Sequence, residues 1–388
     1  MLDSKVGWAF LAAVALVAVA TAVGLALLWP DERPRFALGP GLSAGTEGAR
    51  VAAVTSFACS EYKTNTCRRV LIRVLSGPER GRTAAFELGT GGIDPPLDVG
   101  DSIRVSRAPP VPGLGGAAYS LADFERRAPM LWLAVGFGLL VVVFGRLRGA
   151  LSLLGLALSL ALVLTFVIPG IIAGSPPLAV AVVGSFAVML VTIALTHGLG
   201  PKGVAAVLGT AASLGLTVGL AVAFTSLTNL TGLASEEAAV IAANEGGVPL
   251  RGLLLAGMII GALGVLDDVT VSQASAVLAI RSANPAQRLG SLFRRALGVG
   301  RDHVSATVNT LVLAYAGASL PSLLIFASTE LDLGEAINSE LVAQEVVATL
   351  VGSIGLIAAV PITTALAAFL SARIPPELLA GAEQGHVH

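Results

Sequence analysis

Apolar residues along this chain come in long, nearly unbroken blocks separated by short polar connections, with one exception near the amino terminus. The first block, residues 8–29, is Ala, Val and Leu with Lys5 before it and Pro30, Asp31 and Glu32 after it. About 20 apolar residues suffice to cross a bilayer as a helix. "LALLWPDERPR" lacks a clear Ala-x-Ala cleavage pattern, so the block predicts a retained transmembrane helix rather than a signal peptide. Beyond residue 129 the pattern predicts seven further spans, at about 130–146, 149–173, 178–197, 203–228, 252–281, 303–328 and 342–371, giving eight in all. The joint "RSANPAQRLGSLFRRALG" sets Leu292, Phe293 and Leu297 against Arg294 and Arg295, which predicts an amphipathic elbow helix on the inner surface.

The exception is the region 31–127, where apolar and polar residues alternate. "RRVLIRVLSG" puts Val70, Ile72 and Val74 on one face and Arg69 and Arg73 on the other; "GDSIRVSRAP" does the same with Ile103 and Val105. Period-two runs separated by "SGPERG" and "LDVGD" predict a small antiparallel barrel, with room for about five strands of the OB kind. The expected fold is an α-helical polytopic membrane protein of eight transmembrane helices with an OB-like β domain between the first two. Its predicted parts are a first helix over 1–30, the β domain over 31–128, a seven-helix membrane domain over 129–374 and a tail over 375–388.

Composition agrees with this division. Of 388 residues 55% are hydrophobic and 13% charged, and the mean hydropathy of +0.84 belongs to polytopic membrane proteins. The absence of basic tails and of interleaved basic and aromatic residues argues against a nucleic-acid partner, and no Cys/His spacing implies a metal or cofactor. The expected surroundings are lipid, with a small molecule, an ion or an envelope component as cargo, and a homo-oligomer or a partner membrane protein left open. Arg146, Arg148, Lys202, Arg281, Arg288, Arg294, Arg295, Arg301 and Arg373 fall in alternate connections or the tail. By the positive-inside rule both termini are cytoplasmic and the β domain lies outside, in a bacterial inner membrane. Cys59 and Cys67, the only cysteines, flank "SEYKTNT" on the side expected to be oxidising, which favours a disulfide over two free thiols.

The candidate chemistry lies in "GALGVLDDVTVSQASAV". At about 100° per residue, Gly257, Gly261, Gly264, Asp268, Ser272 and Ser275 share one narrow stripe, and Asp267 points to one side of it. The glycines predict close helix packing, so the stripe is expected to face protein. A mid-span carboxylate costs about 2.5–3.5 kcal/mol on insertion scales and is a functional candidate by default. The following span opens "GVGRDHVSATVNTLVLAYAGASLP" and aligns Asp302, Ser305 and Asn309, which adjacent helices would bring toward Asp268. His303 reads as interfacial and His197, beside "GLGPKG", as a loop residue; Glu345, aligned with Thr349 and Gly352, reads equally as solvated or functional.

These two motifs, with the later "GSIGLIAAVPITT", resemble the YibE/F family of bacterial membrane proteins over roughly residues 130–370. The resemblance implies a membrane fold and a transport role, with Asp268 and Asp302 as the matching acids and Asn309 beside them; it names no substrate or reaction. Asp267 stands where that pattern leads one to expect an apolar residue. A fainter similarity in plan, an outer domain followed by two acid-bearing spans joined by an elbow, links the chain to SecD/SecF and related proton-driven proteins.

The expected function is therefore a proton-coupled secondary transporter or proton-driven membrane machine, not an enzyme, with Asp268, Asp302, Asn309, Ser272 and Glu345 as its proton-coupling or transport residues. The alternative is a non-transporting scaffold or envelope-assembly factor whose outer domain binds a partner. An intramembrane aspartyl protease would use two such acids as well, but "GVGRD" departs from the Gly-x-Gly-Asp signature.

Overall fold

The computed structural model describes residues 5–30, 45–58, 66–89, 95–108, 118–198, 200–244, 248–328 and 332–373. The predicted tail at 375–388 and Cys59 lie outside the described residues. The chain divides into two compact units: residues 37–143 form one, and residues 1–36 with 144–388 form the other.

In the first unit, β1 (Thr46–Ala58), β2 (Thr66–Val74), β3 (Thr83–Leu88), β4 (Ser102–Ala108) and β5 (Ala118–Phe124) form an antiparallel sheet in the order β3-β2-β1-β4-β5. It curls into a half-barrel, and its edge strands β3 and β5 touch. The alternation read from sequence sets the curl's inner face: Val70, Ile72, Val74, Ile103 and Val105 are wholly buried, together with Val51 and Phe86. β1 bulges between Val51 and Ala53, which bends the long central strand so that it can pair with β2 and β4 along different stretches. Cys67 is buried and disulfide-bonded, and Cys59 is the only other cysteine in the chain.

α2 (Arg127–Leu162) begins in this unit and continues into the other. Its helical geometry breaks at Arg146 (φ 51°, ψ −132°), where a side chain pays for a left-handed φ. Beyond Leu162 the helix widens into a π turn (Val163–Val167) and continues as α3 (Ile168–Ile172).

The second unit is otherwise all helix: α1 (Lys5–Leu28), α4 (Pro177–His197), α5 (Pro201–Leu227), α6 (Glu236–Asn244), α7 (Leu250–Ala283), α8 (Leu289–Ala318), α9 (Leu320–Ser328), α10 (Leu333–Asn338) and α11 (Glu340–Ser371). α4, α5 and α11 start at or beside prolines or an extended residue, where the missing N–H or extended backbone costs the helix nothing. α7 is central and packs on α4, α5, α8 and α11. Its core contacts are Ile259, Leu266 and Val269 in one cluster with Met189, Leu214 and Leu356, and Leu255 in another with Ala221, Val347 and Val351.

Among the described residues six helices are long and apolar enough to cross a membrane, and seven if α8 and α9, bent by 63°, count as one broken span. The sequence reading placed eight. The difference lies in the stretch Arg127–Ile172, an apolar run of 46 residues whose helical geometry breaks at Arg146, where the sequence reading divides it into two spans. The expected elbow helix is also not separate. It is the first part of α8, where Leu292 and Ala296 are buried and Arg294 and Arg295 exposed, so its amphipathic pattern is retained inside a continuous helix.

Candidate functional site

The site is built by the side chains that α7 turns away from its apolar contacts. α7 carries two kinds of polar face. One is buried: Thr270 Oγ1 lies 2.6 Å from Thr210 Oγ1 of α5, and Gln273 Nε2 donates to the Ala296 carbonyl at 2.9 Å and to Thr364 Oγ1 at 2.6 Å. These groups are partnered within the helix bundle, as buried polar atoms must be.

The other is the predicted stripe, and here the structure corrects the sequence reading. Gly257, Gly261, Gly264, Asp268 and Ser272 are exposed on α7, while the residues between them are buried or half-buried. A Cβ built at Gly257 or Gly264 would meet no atom within 4 Å, and at Gly261 only the Tyr315 hydroxyl at 3.4 Å. The periodicity grouped these residues correctly, but among the described residues no other helix packs closely on Gly257 or Gly264, and only the Tyr315 hydroxyl of α8 approaches Gly261. The bundle's close approaches use other glycines: Gly209 abuts Thr363, and Gly355 abuts Thr217.

Asp267 occupies the border between the two faces. It is half-buried, about 25 Å from either end of α7 by helical rise. Thr192 Oγ1 of α4 lies 2.9 Å from its Oδ2, and its Oδ1 is buried with no hydrogen-bond partner. α4 and α7 run parallel and in step, since Pro177 meets Gly252 and Thr192 meets Asp267 at the same sequence offset. The second half of α2 runs antiparallel beside α4, with Gly155 opposite Thr192 and Val167 opposite Gly184.

Between these three helices lies a cavity of about 580 Å³. One half is polar, lined by Ser152, Ser159, Thr192, Thr196, His197, Asp267 and Asp268; the other is lined by Leu160, Val163, Val167 and Ile260. Ser185 also lines it, 1% exposed, with its hydroxyl unpartnered. A cavity of this size, mostly apolar with a few convergent polar groups, has the form of a small-molecule site. At the polar end Lys202 Nζ donates to His197 Nδ1 at 3.2 Å, and Arg148 lies within electrostatic reach of both.

The structure brings Asp268 and Gly264 to this cavity and leaves Asp302, Asn309, Ser272 and Glu345 out of it. Asp302 and Asn309 are exposed on α8, on the side opposite Val304 and Val308, which pack on the core. Ser272 Oγ is satisfied by its own helix, at 2.9 Å from the Asp268 carbonyl. Glu345 of α11 is half-buried, 3.4 Å from Gln344 Nε2, and lies near Tyr315 rather than the acid pair. His197, read as a loop residue, is the last residue of α4 and lines the cavity. Sequence reasoning missed Thr192, Ser185, Ser152 and Ser159. Their signal was present: Ser152, Gly155 and Ser159, and separately Ser185, Thr192 and Thr196, recur at helical spacing along one face. Among the described residues no group of three His, Cys, Asp or Glu side chains is arranged for a metal ion.

The β unit has a smaller groove of about 470 Å³ between its edges, lined by Phe86, Leu88, Tyr119, Asp123 and Arg126 among others. Tyr119 donates to Glu79 at 3.1 Å, and burial together with that bond holds its phenol above the usual range.

No curated protein and no solved structure matches the chain. The family model described as YibE/F-like protein matches residues 133–373, well over half of the 388 residues and the whole of the cavity's lining. A membrane-spanning helix bundle with this motif-bearing segment therefore belongs to the YibE/F-like protein family.

Proposed function

We propose that this protein is a proton-coupled secondary transporter or proton-driven membrane machine, and that Asp267 and Asp268 are its proton-carrying groups. The observation that carries this reading is the placement of both acids at mid-span on the wall of one cavity, where Asp267 keeps one buried oxygen without a partner. A carboxylate is costly at that depth and is retained where it pairs, lines a cavity or relays protons. Cargo occupying the cavity and a proton on the acid pair would then compete for, or share, the same negative charge, which is the minimum that coupling requires.

The topology proposed with it has eight crossings, both termini cytoplasmic and the β unit outside a bacterial inner membrane. The 46-residue stretch Arg127–Ile172 supports this count, because a helix that long measures about 70 Å against a hydrocarbon core of about 30 Å, and it breaks at Arg146. The disulfide at Cys67 supports an oxidising location for the β unit. An OB-like barrel is supported by five antiparallel strands whose outer members touch.

The test is reconstitution in vesicles with an internal pH dye. Wild type should carry a proton flux under an imposed gradient, and Asp267→Asn with Asp268→Asn should abolish it. Unchanged flux in a folded double variant would overturn the reading. The scaffold alternative draws on the groove between β3 and β5. It expects a cellular phenotype that survives both Asp→Asn changes and is lost with residues 31–127.

A further inference from the structure

The cavity itself carries information about what it accepts. This inference rests on reading the cavity as the transport site, and three observations define a ligand. First, Asp267 Oδ1 is a buried acceptor without a donor, while Oδ2 is already served by Thr192. A buried carboxylate oxygen in that state calls for a donor, and a positively charged one gains most. Second, the two ends of the cavity differ. Beyond Asp267 and Asp268, past His197, lie Lys202 and Arg148, whose charges disfavour a cation. In the opposite direction the wall is Leu160, Val163, Val167 and Ile260, which favours hydrocarbon. Third, Ser185 sits in that apolar half, 1% exposed, and its hydroxyl meets no partner. Serines in helices ordinarily bond the carbonyl four residues back, as Ser159 and Ser275 do here. Ser185 lies two helical turns from Thr192, so about 10 Å separates it from the level of Asp267.

We propose that the cavity binds a linear alkylammonium ion bearing a neutral polar group at its far end, with the ammonium on Asp267 Oδ1, the chain along Val163, Val167 and Ile260, and the far group on the Ser185 hydroxyl. An ordinary alkylammonium would satisfy Asp267 and leave Ser185 orphaned. A diamine would place its second charge against apolar side chains with no carboxylate beside it. An anion of the same length would bring its charge onto the acid pair. The amino alcohol is the pattern that leaves neither buried polar atom unpaired.

The experiment measures binding to purified protein in lipid nanodiscs with aminohexanol, hexylamine, diaminohexane and hydroxyhexanoate as probes, each corrected for partition into empty nanodiscs. Aminohexanol should bind the wild type most tightly and hydroxyhexanoate not at all. Asp267→Asn should weaken aminohexanol by about tenfold or more, the loss of one charge-assisted bond. Ser185→Ala should remove the advantage of aminohexanol over hexylamine and leave hexylamine unchanged. Equal binding of hydroxyhexanoate, or undiminished binding by Asp267→Asn, overturns the proposal. Should Asp267→Asn fail to fold, Ile260→Trp, which fills the apolar half and touches neither anchor, must abolish binding, and wild-type affinity in that variant overturns the proposal as well. The transport reading is judged separately by the vesicle assay. Flux that depends on Asp267 without binding of any amine overturns the ligand and leaves the transporter; binding without flux does the reverse.

Discussion

Thr192 on α4 places its hydroxyl oxygen 2.9 Å from Asp267 Oδ2 on α7 and, at the same time, 2.9 Å from the Val188 carbonyl of its own helix. A hydroxyl has one proton and two lone pairs, so it serves only one of these acceptors at a time. When Asp267 is ionised, Thr192 donates to it. When Asp267 is protonated, the acid donates to the Thr192 oxygen and the hydroxyl proton turns to Val188. The same geometry therefore holds both protonation states without a buried polar atom changing its place.

That switch makes Thr192 a positioning residue with a specific prediction. Thr192→Val keeps the shape and leaves both Asp267 oxygens without partners, so it should lower stability by about 1–3 kcal/mol and suppress proton flux. Thr192→Ser keeps the hydroxyl and should restore both. Unfolding midpoints and dye-reported flux in vesicles check the pair, and a Thr192→Val protein with wild-type flux would show that the contact is structural only.

A second prediction separates Asp302, which sequence reasoning grouped with Asp268, from the acids of the cavity. Asp302 and Asn309 are exposed on α8 and do not line the cavity. Asp302→Asn and Asn309→Ala should therefore leave flux close to wild type while Asp267→Asn removes it. Loss of flux in Asp302→Asn at normal expression would mean that the proton path includes α8 and that the cavity alone is insufficient.

What the sequence could reveal here follows the physics of each element. Strand faces in the β unit were legible because Val70, Ile72 and Val74 alternate with Arg69 and Arg73, and alternation has only one buried side to choose. Long apolar helices were legible for the same reason of period and length. The direction of α7's stripe was not. In a bilayer, glycine and serine mark helix contacts as readily as they line a cavity, and the pattern alone does not say which neighbour, if any, approaches. Asp267 falls off the stripe, and off the stripe means toward α4. Only the parallel, in-step packing of α4 and α7 places Thr192 opposite it. Ser185, Thr192 and Thr196 were legible as a face of α4 but not as half of a cavity, since the other half comes from α2 and α7.

The distinction between packing glycines and open ones is directly testable. A methyl at Gly355 would run into the Thr217 side chain, and one at Gly209 into Thr363. Gly355→Ala and Gly209→Ala should each cost about 1–3 kcal/mol, as overpacking of a tight interior does. Gly257→Ala and Gly264→Ala meet open space. They should leave the monomer as stable as before or gain about 0.5–1 kcal/mol from the helix preference of alanine. Thermal unfolding in one detergent compares all four. Strong destabilisation by Gly257→Ala or Gly264→Ala would mean that a second chain packs on the stripe in the folded assembly.

The β unit has a pH dependence of its own. Glu125 accepts hydrogen bonds from Arg127 Nε at 2.8 Å and from its backbone N–H at 3.1 Å, and Arg104 lies 3.7 Å away. The Arg127 side-chain bond first, then the backbone bond and the nearby charges, hold its carboxyl at about 2 instead of the usual 4.5. The folded value lies below the unfolded one, so the contribution to stability is complete above about pH 4.5 and is lost as pH falls toward 2. Solvent at the site screens these charges, which keeps the effect small. Arg127→Gln should therefore shift the Glu125 carboxyl midpoint upward, followed by its carboxyl-carbon chemical shift, and should flatten the acid limb of the β unit's stability without changing it at neutral pH by more than the loss of the pair. A midpoint near 4.5 in the wild type would show that the Arg127 pairing is not maintained in solution, and with it the anchoring of the last strand to the first turn of α2.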